Sequence, residues 1–146
     1  MRVGLIQALV PREVMPFPTK LKFIEDAEDA LGAKFPVSFR AYLLQNNGGE
    51  IVAMDFPWEV NPVLDASDHE HARRTAIDIT RETASAREWH GFPSRGVAIA
   101  SDGCGNYLIL TPDEHTPSML LPAVYVWWHE GGELEVVASD FAELWQ

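Results

Sequence analysis

Apolar positions along the chain change their period several times, and each change marks an element. Leu21, Ile24, Ala27, Glu28 and Leu31 recur at helical spacing. Thr19 stands where an N-cap is needed, and Gly32 supplies the stop. The outer face of this helix carries Glu25, Asp26, Glu28 and Asp29, the pattern of a solvated surface. Pro36 suits the first turn of a second helix, whose stripe is Phe39, Tyr42 and Leu43. The short link between the two predicts a packed helical hairpin. Asn46-Asn47-Gly48-Gly49 follows, four residues that accept left-handed backbone cheaply, so helix, cap and strand are expected in that order.

Beyond the cap, "EIVAMDF" reads as one strand and "PWEVNPV" as a proline-broken loop carrying Trp58. Residues 65 to 89 lack glycine and proline and space Ala72, Ala76, Ile79, Thr83 and Ala86 three or four apart. This predicts a helix over much of the span with a thin apolar face. "GVAIASDGCGNYLILTP" predicts a hairpin turning between Asp102 and Asn106, and "AVYVWWHEGGELEVVASD" a second hairpin turning at Gly131-Gly132. Trp127 and Trp128 are adjacent on a strand, so alternation sends them to opposite faces. Ser139 or Asp140 is placed to cap a terminal helix that folds Phe141, Leu144 and Trp145 back onto the sheet. Residues 1 to 18, with Pro11, Pro16 and Pro18, predict an irregular entry arm after at most a short strand. The sum is an α+β domain spanning residues 1–146: an N-terminal helical hairpin, a largely antiparallel sheet, one inserted helix and a short C-terminal helix.

Charge narrows the partner class. Twenty-two Asp and Glu against 11 Lys and Arg leave a formal net charge of -11. Such a surface repels nucleic-acid backbones and anionic lipid and suits a basic partner. No apolar stretch approaches the roughly 18 residues of a membrane span, and the opening residues make a poor signal peptide, so a cytoplasmic protein is expected. Cys104 is the one cysteine, which excludes an intrachain disulfide.

The candidate chemistry is thin. Asp68-His69-Glu70-His71, joined by His129 and Glu130, is the best metal set, but on a helix His69 and His71 point about 200° apart. Cys104 lies between two glycines beside Asp102, a carboxylate that raises a thiol's pKa rather than lowering it. "GGE" and "GCG" lack the lysine and the strand-turn-helix setting of a phosphate loop. Neither a catalytic set nor a cofactor is therefore expected, and a small metal-dependent hydrolase is the weakest reading.

Taken in order, "IEDAEDALGAKFPVSFRAYLLQNNGGEI" resembles the signature segment of the SUKH superfamily through Glu25, Leu31-Gly32, Phe35-Pro36, Phe39, Tyr42-Leu43 and Asn47-Gly48-Gly49. "GVAIASDGCGNYLILTP", "VYVWWHE" and "VVASDFAELW" are similar to that family's later strands and closing helix. The resemblance implies an α+β domain without catalytic residues. In bacteria it implies an immunity protein that binds and neutralises a cognate toxin, many of those toxins being nucleases. In fungi it implies a regulator of cell-wall synthesis, so an intracellular scaffold or regulator is the alternative. For a contact with a cationic nuclease domain, the acidic and aromatic positions Asp55, Trp58, Glu59, Asp102, Asp113, Glu114 and Trp128 are the expected contributors.

Overall fold

The computed structural model of the chain describes residues 16–145. In chain order the elements are α1 (Leu21–Leu31), α2 (Val37–Gln45), β1 (Glu50–Ala53), β2 (Phe56–Val60), α3 (His69–Arg74), α4 (Ile79–Ala86), β3 (Val97–Ser101), β4 (Tyr107–Leu110), β5 (Val124–Trp127), β6 (Leu134–Ala138) and a closing 3-10 turn (Phe141–Glu143). The six strands form a sheet in sequence order, each antiparallel to the next. The expected α+β architecture is therefore present. The entry arm lies outside the described residues except for residues 16–18.

One face of the sheet is covered by α1, α2 and the closing turn. Ile24, Phe39, Tyr42, Leu43 and Phe141 meet Ile51, Trp58, Val60, Ile99, Leu108 and Leu110 there. Phe39 and Phe141 cross edge to face at 5.0 Å, and Tyr42 contacts both Phe141 and Trp145 in the same way. The opposite face is covered only over β3–β5, where Ala86 and Phe92 pack on Ala98, Tyr107, Ile109 and Trp127. Alternation along β5 puts Trp127 in this second cluster and Trp128 beside the first, as expected. A bulge between Ala98 and Ala100 sets Ile99 and Ala100 in succession on the main-core side, which returns Ser101 to the second face.

Local details depart from the sequence reading in instructive ways. Thr19 does not cap α1, because its hydroxyl donates instead to the buried Asp65, 2.8 Å away. Glu28 is not on a solvated face. It is 4% exposed, accepts from the Phe35 amide at 2.8 Å, and takes both ends of the Arg40 guanidinium at 2.9 and 2.6 Å. The helical hairpin is thus pinned by an ion pair between the buried Glu28 and the partly exposed Arg40, and the Arg40 guanidinium is held above its ordinary pKa mainly by that bond.

After α2 the chain leaves the helix in extended conformation at Asn46, and only Gly48 and Gly49 adopt positive φ, 122° and 83°. Asn47 is buried rather than left-handed. Its carboxamide donates to the Val63 carbonyl at 2.9 Å and accepts from the Val63 amide at 2.8 Å, replacing one rung of a β-ladder. Asn47→Ala leaves both Val63 groups without that partner, so a loss of about 2 kcal/mol in chemical denaturation is expected, well above that of Asn46→Ala.

The strand expected over "EIVAMDF" ends early. Met54 and Asp55, at φ 55° and 65°, form a two-residue turn, and "FPWEV" returns as β2 rather than as a loop. The inserted helical segment is bent. Thr75 accepts from the Asp65 amide and donates to His71 O, ending α3, and Asp78 caps α4 by accepting from the Arg81 amide at 2.9 Å. The terminal helix shortens to a 3-10 turn capped by Asp140.

Candidate functional site

A groove of about 680 Å³ opens where the second face of the sheet is left uncovered. Its floor is the β1–β2 hairpin, its far wall the bent insert, and its end the β3–β4 turn. Antiparallel register aligns Glu50 with Glu59 and Glu59 with Ser101, so three strands contribute to one row on this face. Glu82 from α4 and Asp102 from the β3–β4 turn also line the cavity. Opposite them stand His71 and Arg74, both stacked on Phe17, with ring centroids 4.1 Å apart for the imidazole and the guanidinium 4.2 Å above the ring.

Like charges meet along the row. Glu50 and Glu59 face each other directly across two strands, a placement that costs free energy for like charges. Among the described residues, no lysine or arginine forms an ion pair with Glu50, Glu59, Glu82 or Asp102. Burial, and after it the Glu50 carboxylate, pushes the Glu59 carboxyl above its usual range. A raised carboxyl pKa means that the folded state loses stability as pH rises through that titration, so ionised Glu59 opposes folding at neutral pH. Burial, and then Glu59, pushes the Tyr42 phenol up to about 12, where its hydroxyl donates to Gly48 O at 2.6 Å.

The insert that walls the groove is tied down by polar contacts. Burial alone would raise the Asp65 carboxyl, but hydrogen bonds from Ser67 and Thr19 and the nearby His71 outweigh it and hold it below the ordinary range. Ile79 N donates to Pro62 O at 2.7 Å, and Thr83 Oγ1 accepts from the Ala98 amide at 3.0 Å.

Of the positions singled out in sequence, the groove brings together Glu59 and Asp102. Asp102 is also the organiser of its turn, accepting from the Cys104 and Asn106 amides and from the Asn106 carboxamide. Trp58 is core: it is 1% exposed and its indole donates to Ala53 O at 2.9 Å. Asp55 sits at the β1–β2 tip. Asp113 and Glu114 lie on the 111–120 loop, which bonds to Lys34, and neither lines the groove. Trp128 is half-buried and donates to Glu135 at 3.2 Å.

The histidines do not converge. His71 bonds Asp68 at 2.8 Å, whereas His129 bonds Asn106 at 2.8 Å beside Trp89. Among the described residues no group of three or more His, Cys, Asp or Glu is arranged to hold a metal ion. Cys104 is exposed at the β3–β4 tip, where its amide donates to the Asp102 carboxylate at 2.7 Å. Sequence reasoning missed Glu50 and Glu82. The register that pairs Glu50 with Glu59 required reading Met54-Asp55 as a turn, and Glu82 required recognising Asp78 as a cap.

The family model described as SMI1 / KNR4 family (SUKH-1) matches residues 18–146. The chain belongs to this family. Members of the SUKH-1 family are commonly immunity proteins of polymorphic toxin systems and are generally non-catalytic. No curated protein matches the chain with significant similarity. In this SUKH-1 chain the family's Asn-Gly-Gly step has a concrete role: Asn47 anchors the backbone after β2, and Gly48-Gly49 swing the chain into β1 along the groove floor. No helix among the described residues is long and apolar enough to cross a membrane.

Proposed function

We propose that this SUKH-1 protein is a non-catalytic immunity protein that binds a cognate bacterial toxin and neutralises it by covering its working surface. The toxin class it suits best is a basic nuclease domain. One observation carries the reading: four carboxylates, Glu50, Glu59, Glu82 and Asp102, line a groove in a chain of net charge -11 and have no lysine or arginine ion pair among the described residues. A nuclease has to attract phosphate and therefore presents cations. An acidic groove gains encounter rate and complementarity against that surface, and its own like-charge repulsion is relieved on contact.

Calorimetric titration with the toxin domain encoded beside the gene tests this, together with growth rescue on co-expression. A salt-sensitive one-to-one complex and rescue are expected. Glu59→Lys with Glu82→Lys is expected to weaken the complex by about tenfold or more while leaving the melting temperature unchanged or higher, since the Glu50–Glu59 repulsion is removed. Absence of both association and rescue would remove the proposal.

A further inference from the structure

β1 is an edge strand, and its exposed edge adjoins the groove. Among the described residues nothing pairs with its outer side. Val60 N donates to Gly49 O at 2.7 Å, which fixes the alternation of the β1–β2 ladder. Residues 49, 51 and 53 turn their backbone polar groups toward β2, so those of Glu50 and Val52 point away from the sheet. The side chains of these same two residues lie on the groove face, next to Glu59 and Pro57 respectively. Val52 is 60% exposed, although a short edge strand of a soluble protein is usually guarded by lysine, proline or a bulge. β1 has no lysine, proline or bulge, and its guards are its four-residue length and the carboxylate of Glu50, which a cationic strand would meet favourably. Pro57 stands directly opposite Val52, where the alternation places no ladder bond that its missing N–H could break.

From this geometry we infer that β1 receives an extended segment of the partner as an added strand, one bearing a lysine or arginine two residues from an apolar side chain. The backbone of the added strand meets the outward N–H and C=O groups of Glu50 and Val52. Its apolar residue covers Val52 and Pro57, and its cation, two positions along on the same face, reaches the Glu50–Glu59 pair. Charge selects this occupant over a second copy of the chain, since two bodies of net charge -11 would bring the same carboxylate row together. The inference rests on the binding function proposed above and names how the partner is held.

The test uses the full chain and a blocked peptide in which Lys and Val alternate with Thr at two-residue spacing, against the same peptide with Glu for Lys. Amide exchange and chemical shifts are read by NMR. Expected are shifts centred on residues 50–53 and at least about tenfold slower exchange at the Glu50 and Val52 amides with the lysine peptide alone. Shifts centred on β6, equal effects of both peptides, no effect of either, or protection of the Glu50 and Val52 amides before any peptide is added each overturn the inference. The last result would mean that residues 1–15 or a second copy already holds the edge.

Val52→Pro then separates the two proposals. It removes an outward N–H that the β1–β2 ladder does not use, so the fold is expected to persist. Affinity for the toxin domain is expected to fall by tenfold or more. Glu50→Lys serves as a second variant with the same expectation. Toxin binding that survives both substitutions sinks the added strand and leaves the immunity reading standing. A wild-type chain that takes up the peptide at β1 yet ignores the toxin sinks the immunity reading alone.

Discussion

Trp58→Ala is expected to destabilise the protein by about 4 kcal/mol, measured by urea or guanidinium unfolding, through loss of a fully buried indole and the cavity it leaves. The indole also donates to Ala53 O, beside the ladder pairing of Ala53 with Phe56, so part of the loss comes from that hydrogen bond. Trp58→Phe keeps most of the apolar volume and is expected to cost much less. A contact residue would behave in the opposite way, with stability kept and affinity lost. Unchanged unfolding of Trp58→Ala would therefore return this side chain to the binding surface.

Arg40→Ala is expected to cost about 3 kcal/mol or more, because Glu28 would remain as an uncompensated carboxylate inside the helical hairpin. Glu28→Ala is expected to be at least as damaging, since it also strips the Phe35 amide of its acceptor. The two substitutions should be strongly non-additive in a double-mutant cycle, and an apolar pair of similar volume, Glu28→Leu with Arg40→Met, should recover much of the loss. Additive single losses measured by the same unfolding assay would mean that the pair is not coupled.

What sequence conveyed and what it withheld divides along physical lines. Helical spacing, the Gly32 stop and the glycine-marked hairpins are local signals, and α1, α2 and the β3–β4 and β5–β6 pairs appear where they were expected. The β1–β2 turn was hidden because its left-handed positions are Met54 and Asp55, neither a glycine, and because Pro57 reads as a breaker although its strand position asks no hydrogen bond of it. The bend in the insert was hidden because Thr75 and Asp78 are compatible with a continuing helix until Asp65 and the Arg81 amide give their side chains partners.

The inward turn of Glu28 was withheld for a different reason. A carboxylate on a helix is ordinarily solvated, and only the arrival of Arg40 and the Phe35 amide from the next helix reverses that expectation. The groove was legible in part. Net charge announced an acidic surface, and Glu59 and Asp102 were within reach of sequence reading. The row they share with Glu50 exists only through strand register, which no local window contains.

The bent insert has a consequence for how such a protein changes over generations. α3 has no buried side chain, and α4 touches the sheet through little more than Ile79, Thr83 and Ala86. Exposed positions on these two helices, such as Glu70, Arg73, Arg81, Ala84 and Ser85, can therefore change at little cost to folding while still altering one bank of the groove. The rim is thus editable while the hairpin beneath it is fixed by packing, so substitutions that retune the groove should be tolerated on the rim before they are tolerated in the floor.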